Sequence, residues 1–490
     1  TGSKWQIISG SSGGSSLGLI SVKDYGAVGN GVNDDTHSIQ RAVDFVKTNG
    51  GTVYFPKGTY LCKNITVYGG SNPFALLGES AATVLLVSPD GSGDMINGGN
   101  ASTVPYQISN FSIDCKYSVY FSPTAGSGIA IGNTSNVVIE NVNVVDYFNT
   151  GILVYDDTGS TSSNVIIRNC NADGRNYGSV GILLASMTDS AIDNCTAINC
   201  PANPGYGLEL KNLCSHSRIT NGYAENCYAG IALGQDIRVT AVNNCTIFNC
   251  QTYNCNNGII TGYAVNNLFN GIWIDQAFQT SYAIALQSYS QQNSFSGIYI
   301  KNVDPSSYAI NFANNCNENT AVIEELSLSS KVGYDIQGAY FSSGVLNNSV
   351  VIRRIAGVPI YQGDSVSRND SGSYTNFCYL EQQNLSWTTN VSSSPIISLN
   401  DAKTSVVTVR VDGLGGTGYL STINGGVDWQ IITVFCYFNV DTVIVQHNVG
   451  NILLDGKTDK ILNPASTSLV LMYTPRISKW VQLSYSNNGP

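Results

Sequence analysis

The chain has 490 residues, of which 42% are apolar but only 11% charged, against a usual ~25%. This balance argues against a disordered chain, which is charge-rich and apolar-poor. A formal charge of −10 and a pI near 4.7 argue against a nucleic-acid partner, whose binders present basic patches.

The polar balance comes from uncharged side chains: 53 Asn and 50 Gly make up about a fifth of the chain. No apolar run approaches the ~18 residues of a membrane span, so no membrane insertion is expected. Residues 1–19 are Ser/Gly-rich, show no signal-peptide pattern, and read as a linker. Residues 20–100 read as an N-terminal cap with the first coils. Asp35 or Thr36 can N-cap a helix there. Ile39, Val43 and Val46 give that helix one apolar face, and Asn49-Gly50-Gly51 stops it. Thr52 to Leu61 then reads as strand, turn and strand.

A repeat dominates residues 101–330. A Gly-apolar-x-apolar tetrad starts at Gly128, Gly151, Gly181, Gly207 and Gly230, in steps of 23, 30, 26 and 23. A second register ends on Asn141, Asn169, Asn194, Asn221 and Asn244, in steps of 28, 25, 27 and 23. Gly271-Ile-Trp-Ile and Gly297-Ile-Tyr-Ile look like later tetrads. Short β-branched strands cornered by Asn and Gly, which tolerate left-handed backbone, predict a right-handed parallel β-helix with two strands per coil. A β-sandwich would not hold such a period. His216, in Cys-Ser-His-Ser, reads as a polar corner. The 13 Cys lack any CxxC pair and read as small, buried, reduced core residues. Residues 331–400 read as a connecting region. Six strand-like runs between 406 and 484 predict an antiparallel, sandwich-like C-terminal module over 401–490.

Asp24-Tyr-Gly-Ala-Val-Gly-x-Gly-x-x-Asp-Asp-Thr36, the amphipathic helix, Gly50-Gly-Thr-Val-Tyr-Phe-Pro56 and Gly58-Thr-Tyr60 resemble the start of the pectate-lyase-like β-helix superfamily. That superfamily includes polygalacturonases and the bacteriophage tailspikes that depolymerise bacterial polysaccharides. The C-terminal run is similar to tailspike C-terminal domains. The resemblance implies a homotrimer on a virion tail, held to other tail proteins through its N-terminus. It also implies assembly in the host cytoplasm and action on a bacterial surface polysaccharide.

The chemistry is read from the acids. Polygalacturonase signatures are missing: there is no Asn-Thr-Asp, and none of His37, His216 and His447 precedes Gly. Hydrolysis by a carboxyl pair is the expected reaction and needs no cofactor. Glu209 occupies the third slot of its tetrad, where alternation points it away from the core. Asp236 and Asp275 follow on later coils and could share a groove with it, with Lys211 beside it. Trp273 and Tyr299, read on the same face, would be platforms for sugar rings. With its side chain outside the core, Glu209→Gln is expected to leave stability nearly unchanged. Asp156-Asp157 would contact substrate, or hold Ca²⁺ if the reaction were β-elimination. A non-enzymatic glycan-binding fibre is the remaining alternative.

Overall fold

A computed structural model describes residues 18–87, 93–99, 104–120, 126–159, 162–234, 241–276, 282–303, 308–313, 315–328, 337–342 and 345–353. Beyond these it describes 355–356, 366–368, 377–380, 385–390, 396–398, 406–412, 417–424, 430–436, 442–463 and 467–487. The chain divides into two compact units, Thr1–Ile272 and Trp273–Pro490. Among the described residues no helix is long and apolar enough to cross a membrane.

In the first unit, helix α1 spans Thr36–Asn49 and buries Ile39, Ala42, Val43 and Val46. Asp35 precedes it without capping it by its side chain. The carboxylate instead accepts from Val28 N (2.6 Å) and Gly29 N (3.0 Å), while Asp34 Oδ1 takes Thr36 N at 2.9 Å. The two adjacent acids thus divide their work between the Gly-rich loop and the helix start.

The coils that follow carry three strand segments each, where the sequence suggested two. The Gly-register strands Ile129–Gly132, Thr150–Tyr155, Val180–Ala185, Tyr206–Lys211, Ala229–Leu233 and Asn257–Gly262 pair in parallel, in that order. The Asn-register strands Val165–Arg168, Ala191–Asp193, Arg218–Thr220 and Thr246–Phe248 form a second ladder. Beyond each corner Asn lies a third: Asn171–Asp173, Thr196–Ile198, Tyr223–Glu225 and Gln251–Tyr253. The corner splits one alternating run into two strands, and this is why the run reads as a single strand.

The corner residues Asn141, Asn169, Asn194, Asn221 and Asn249 sit at φ +51° to +53°. Asn244 is left-handed as well, at φ +52°, but it precedes the strand Thr246–Phe248; the corner that follows this strand and stacks on Asn221 is Asn249, not the expected Asn244. Val242–Asn243 pairs with Ala264–Val265 in a separate two-stranded ladder. The side-chain amides also stack: Asn194 donates to Asn169 at 2.8 Å and Asn249 to Asn221 at 2.7 Å. His216 occupies another left-handed corner, at φ +48°. The tetrad glycines answer a different need. A Cβ on Gly181 would lie 2.6 Å from Gly207 O and 2.5 Å from Ala197 Cβ. Twelve cysteines are described, all buried and free, and the sulfurs of Cys170, Cys195 and Cys250, among others, lie against carbonyls of the neighbouring coil. Cys378 lies outside the residues whose side chains are described.

Gly271 and Gly297 are not tetrad glycines. Both have positive φ, +66° and +59°, and Gly271 lies against Asn249, so it takes the corner place of an Asn. The strand Leu268–Asp275 accordingly pairs through Leu268–Asn270 with Thr246–Phe248 of the Asn register.

In the second unit, Ile284–Gln287, Tyr308–Phe312, Gln337–Phe341 and Val366–Arg368 form one parallel ladder. Ser294–Val303, Thr320–Leu328, Ser349–Ile352 and Phe377–Leu380 form another. Coil-type pairing thus continues past residue 330 into the expected connecting region. The C-terminal segment is mixed, not antiparallel throughout. Leu385–Asn390, Val406–Asp412 and Ile431–Cys436 pair in parallel. Thr467–Thr474 and Lys479–Asn487 then close the sheet in antiparallel fashion. Trp480 is fully buried there, and its Nε1 donates to Ile423 O at 2.9 Å.

Candidate functional site

Glu209 lies in the middle of Tyr206–Lys211, between Leu183 and Ala232 in register. Its side chain points away from Leu208 and Leu210, as alternation requires, yet it is 0% exposed. The expectation of a solvent-facing acid is therefore corrected. Alternation fixes the side of the strand, and this outer side is itself covered, with Leu183 at 8% and Ala232 at 0%. Lys211 Nζ stands 3.9 Å from Glu209 Oε1, and the Lys211 side chain is 28% exposed. Burial, followed by Glu209 and Tyr228, pushes the Tyr206 hydroxyl well above its usual range. A carboxylate and an ammonium thus share this face, with a protonated phenol at the start of the same strand, a set able to hold or pass a proton.

The other predicted acids do not join it. Asp156 is turned into its own loop, where it accepts from Thr158 N (2.9 Å), Thr158 Oγ1 (2.6 Å) and Ser162 Oγ (2.7 Å). Burial pushes its carboxyl up, but the bonds from Thr158 and Ser162 outweigh this and hold it below the usual range. Asp157 is exposed, with its backbone N–H donating to Asn133 Oδ1. Among the described residues no three His, Cys, Asp or Glu side chains converge as an ion site. Asp236 lies outside the described residues. In the second unit, Asp275 Oδ1 accepts from Asn302 Nδ2 at 2.8 Å, a bond between residues one coil apart.

Trp273 and Tyr299, also in the second unit, stack with centroids 4.2 Å apart and planes within 6°. Lys301 Nζ stands 5.3 Å from the Trp273 ring. Each ring spends one face on the other, so the pair is first an aromatic rung between coils. Trp273 is still 41% exposed, which leaves surface for a ligand.

Sequence reasoning missed a patch on the third strands of the first unit, around Tyr223, Glu225, Gln251 and Tyr253. Its signal was the alternation just beyond the corner, in Tyr223-Ala-Glu225 and Gln251-Thr-Tyr253.

Parallel ladders around one buried interior define a parallel β-helix. Residues 19–260 match the family model described as rhamnogalacturonase A/epimerase, pectate lyase-like. The plasmin and fibronectin-binding protein A of Streptococcus pneumoniae is 35% identical over 156 residues, 26% of this chain and 21% of that protein. The pre-neck appendage protein of Bacillus phage phi29 is 27% identical over 241 residues, 44% of this chain and 27% of that protein. The matches thus span about a quarter of these relatives' lengths. Among solved structures, the A-module of the Azotobacter vinelandii mannuronan C-5 epimerase AlgE4 superposes with a TM-score of 0.57 at 19% identity. That alignment covers 71% of this chain and 99% of the module, and it speaks for the fold. The chain is a parallel β-helix protein, with the pectate-lyase-like signature over residues 19–260.

Proposed function

We propose that this protein acts on a bacterial surface polysaccharide as a phage-borne depolymerase. The observation that carries this reading is the pectate-lyase-like match over residues 19–260, the segment that holds Glu209 and Lys211. The phage appendage relative, aligned over 241 residues, supports a place on a virion tail. In this reading α1 caps the first coil, the chain forms a homotrimer, and its N-terminus meets other tail proteins.

Hydrolysis by paired carboxylates is the proposed reaction, with Glu209 as one carboxyl and Asp236 as the candidate partner. Because Glu209 is 0% exposed, the reaction requires its face of the strand to open to the polymer. Trp273 and Tyr299 would contact sugar rings.

A second reading is glycan or protein binding without chemistry. The burial of Glu209 favours it, as does the 35% identity to a plasmin and fibronectin-binding protein. One experiment separates the two: incubate the protein with purified host capsule, and measure new reducing ends and ultraviolet absorbance with and without EDTA. Reducing ends without absorbance support hydrolysis. Absorbing products that EDTA suppresses replace it with elimination and bring Ca²⁺ in as cofactor. Retained binding with neither product supports the second reading.

A further inference from the structure

The patch beyond the Asn corner has the composition of a sugar-binding surface. Tyr223 is in register with Gln251, and Glu225 with Tyr253. Adjacent parallel strands lie ~4.8 Å apart, so these four side chains form one compact square. Two phenol rings occupy one diagonal, and a carboxylate and an amide the other. Tyr223 Oη donates to Glu225 Oε2 at 2.8 Å, which fixes both side chains before any ligand arrives. Burial, then the bond to Glu225, raises the Tyr223 hydroxyl above its usual range, so it remains a donor. Tyr253 is 43% exposed, and Gln251 is exposed beside it. The inward residues between them, Ala224 and Thr252, are buried, so the square stands on a rigid strand pair. Across the Asn249 corner, Phe248 is 47% exposed.

The charges on this side are mostly acidic. Glu225 carries a carboxylate within the square. Asp193 lies further back, held by Thr220 Oγ1 at 2.6 Å and Asn221 Nδ2 at 3.1 Å. Arg218 lies at the far end of its own strand. The whole chain carries −10. A polyuronate brings a negative charge with every sugar, and like charges placed together are costly. A neutral sugar packs its C–H face on a phenol ring and donates hydroxyls to the carboxylate and the amide.

We propose that Tyr223, Glu225, Gln251 and Tyr253 form a binding site for uncharged glycan chains, built of hexose or N-acetylhexosamine units, that discriminates against polyuronates. This rests on the polysaccharide reading above and names the ligand class. It is tested by titration calorimetry of the full chain with three hexasaccharide probes: maltohexaose, hexa-N-acetylchitohexaose and hexamannuronate. A neutral probe should bind and hexamannuronate should not. Tyr253→Ala should weaken the neutral probe at least tenfold, the scale of losing one well-placed aromatic contact. Glu225→Gln, which keeps a hydrogen-bonding group, should spare the neutral probe and improve hexamannuronate binding. Preferential binding of hexamannuronate by the wild type overturns the assignment, and so does neutral binding that Tyr253→Ala leaves unchanged. If neither neutral probe binds, the assignment fails as well. Sedimentation of Tyr253→Ala guards against another role, because a lost oligomer with unchanged glycan affinity makes the patch a subunit contact. Failure of the polysaccharide reading itself looks different: host capsule is then neither bound nor cleaved.

Discussion

The pair of Glu209 and Lys211 offers a charge experiment whose sign comes from burial. At 3.9 Å and an effective dielectric of 20, the attraction is about 4 kcal/mol. Burying a carboxylate completely costs several kcal/mol of lost hydration, so the two terms nearly cancel. Glu209→Gln removes both, and Lys211, at 28% exposure, can turn to water. We expect stability to be unchanged or to rise by about 1 kcal/mol. Lys211→Met removes the attraction but leaves the buried carboxylate, so it should cost about 3 kcal/mol, the lower end for breaking a buried pair. For a unit of 272 residues, melting entropy is about 0.6 kcal/mol/K, which makes that loss a fall of about 5 °C in Tm. The double variant should regain most of it. Calorimetry on the four proteins in one buffer reads the cycle. If the two single effects simply add, the side chains do not sense each other and the reasoning is refuted. Capsule turnover by Glu209→Gln runs in parallel: a fall of 10²-fold or more is the usual loss for a general acid or base. Unchanged turnover moves the chemistry elsewhere.

Gly181→Ala should cost about 3 kcal/mol or prevent folding, because its Cβ would lie 2.6 Å from Gly207 O; urea melts against wild type decide this. Asn221→Ala should cost about 2 kcal/mol, part from left-handed backbone strain and part from the lost amide ladder, while Asn221→Gly should recover the backbone part. Asp156 has a depressed folded pKa, so its contribution is full above the unfolded value and is lost as pH falls through the folded one. Ser162→Ala should therefore lower Tm at pH 7, and the difference should shrink progressively as pH falls below about 4, where Asp normally titrates. Burial pushes the Cys214, Cys250 and Cys316 thiols up to about 11, so the native protein should react slowly with thiol reagents and release free thiols on denaturation. Prompt native labelling at these positions would contradict the packing.

The coil architecture was legible because its markers have backbone causes. Asn169, Asn194 and Asn221 recur where the chain needs left-handed corners, and Gly181 and Gly207 recur where carbonyls of the next coil approach. The slips have the same origin. Glycine serves both as a close-approach residue and as a corner, so Gly271 and Gly297 were indistinguishable from tetrad glycines by spacing alone. Asn244 precedes a Cys just as Asn169 and Asn194 do, so the register drifted there. The site was less legible. Alternation tells which way Glu209 points relative to the core, but not what lies on the outer side. The Tyr223–Glu225 bond spans two positions of one short strand, and nothing in spacing marks it as a surface feature.

The register pairing of the first unit separates what can vary from what cannot. Each strand of the Gly ladder bonds only to the strand before it and the strand after it, in chain order. A longer or shorter corner between two strands leaves every rung in place. One residue inserted inside a strand turns its whole pattern over and sets side chains against the glycine contacts. Diversity should therefore concentrate at the corners. Corner loops could be exchanged between related chains as separate cassettes, with the spine passed on unchanged.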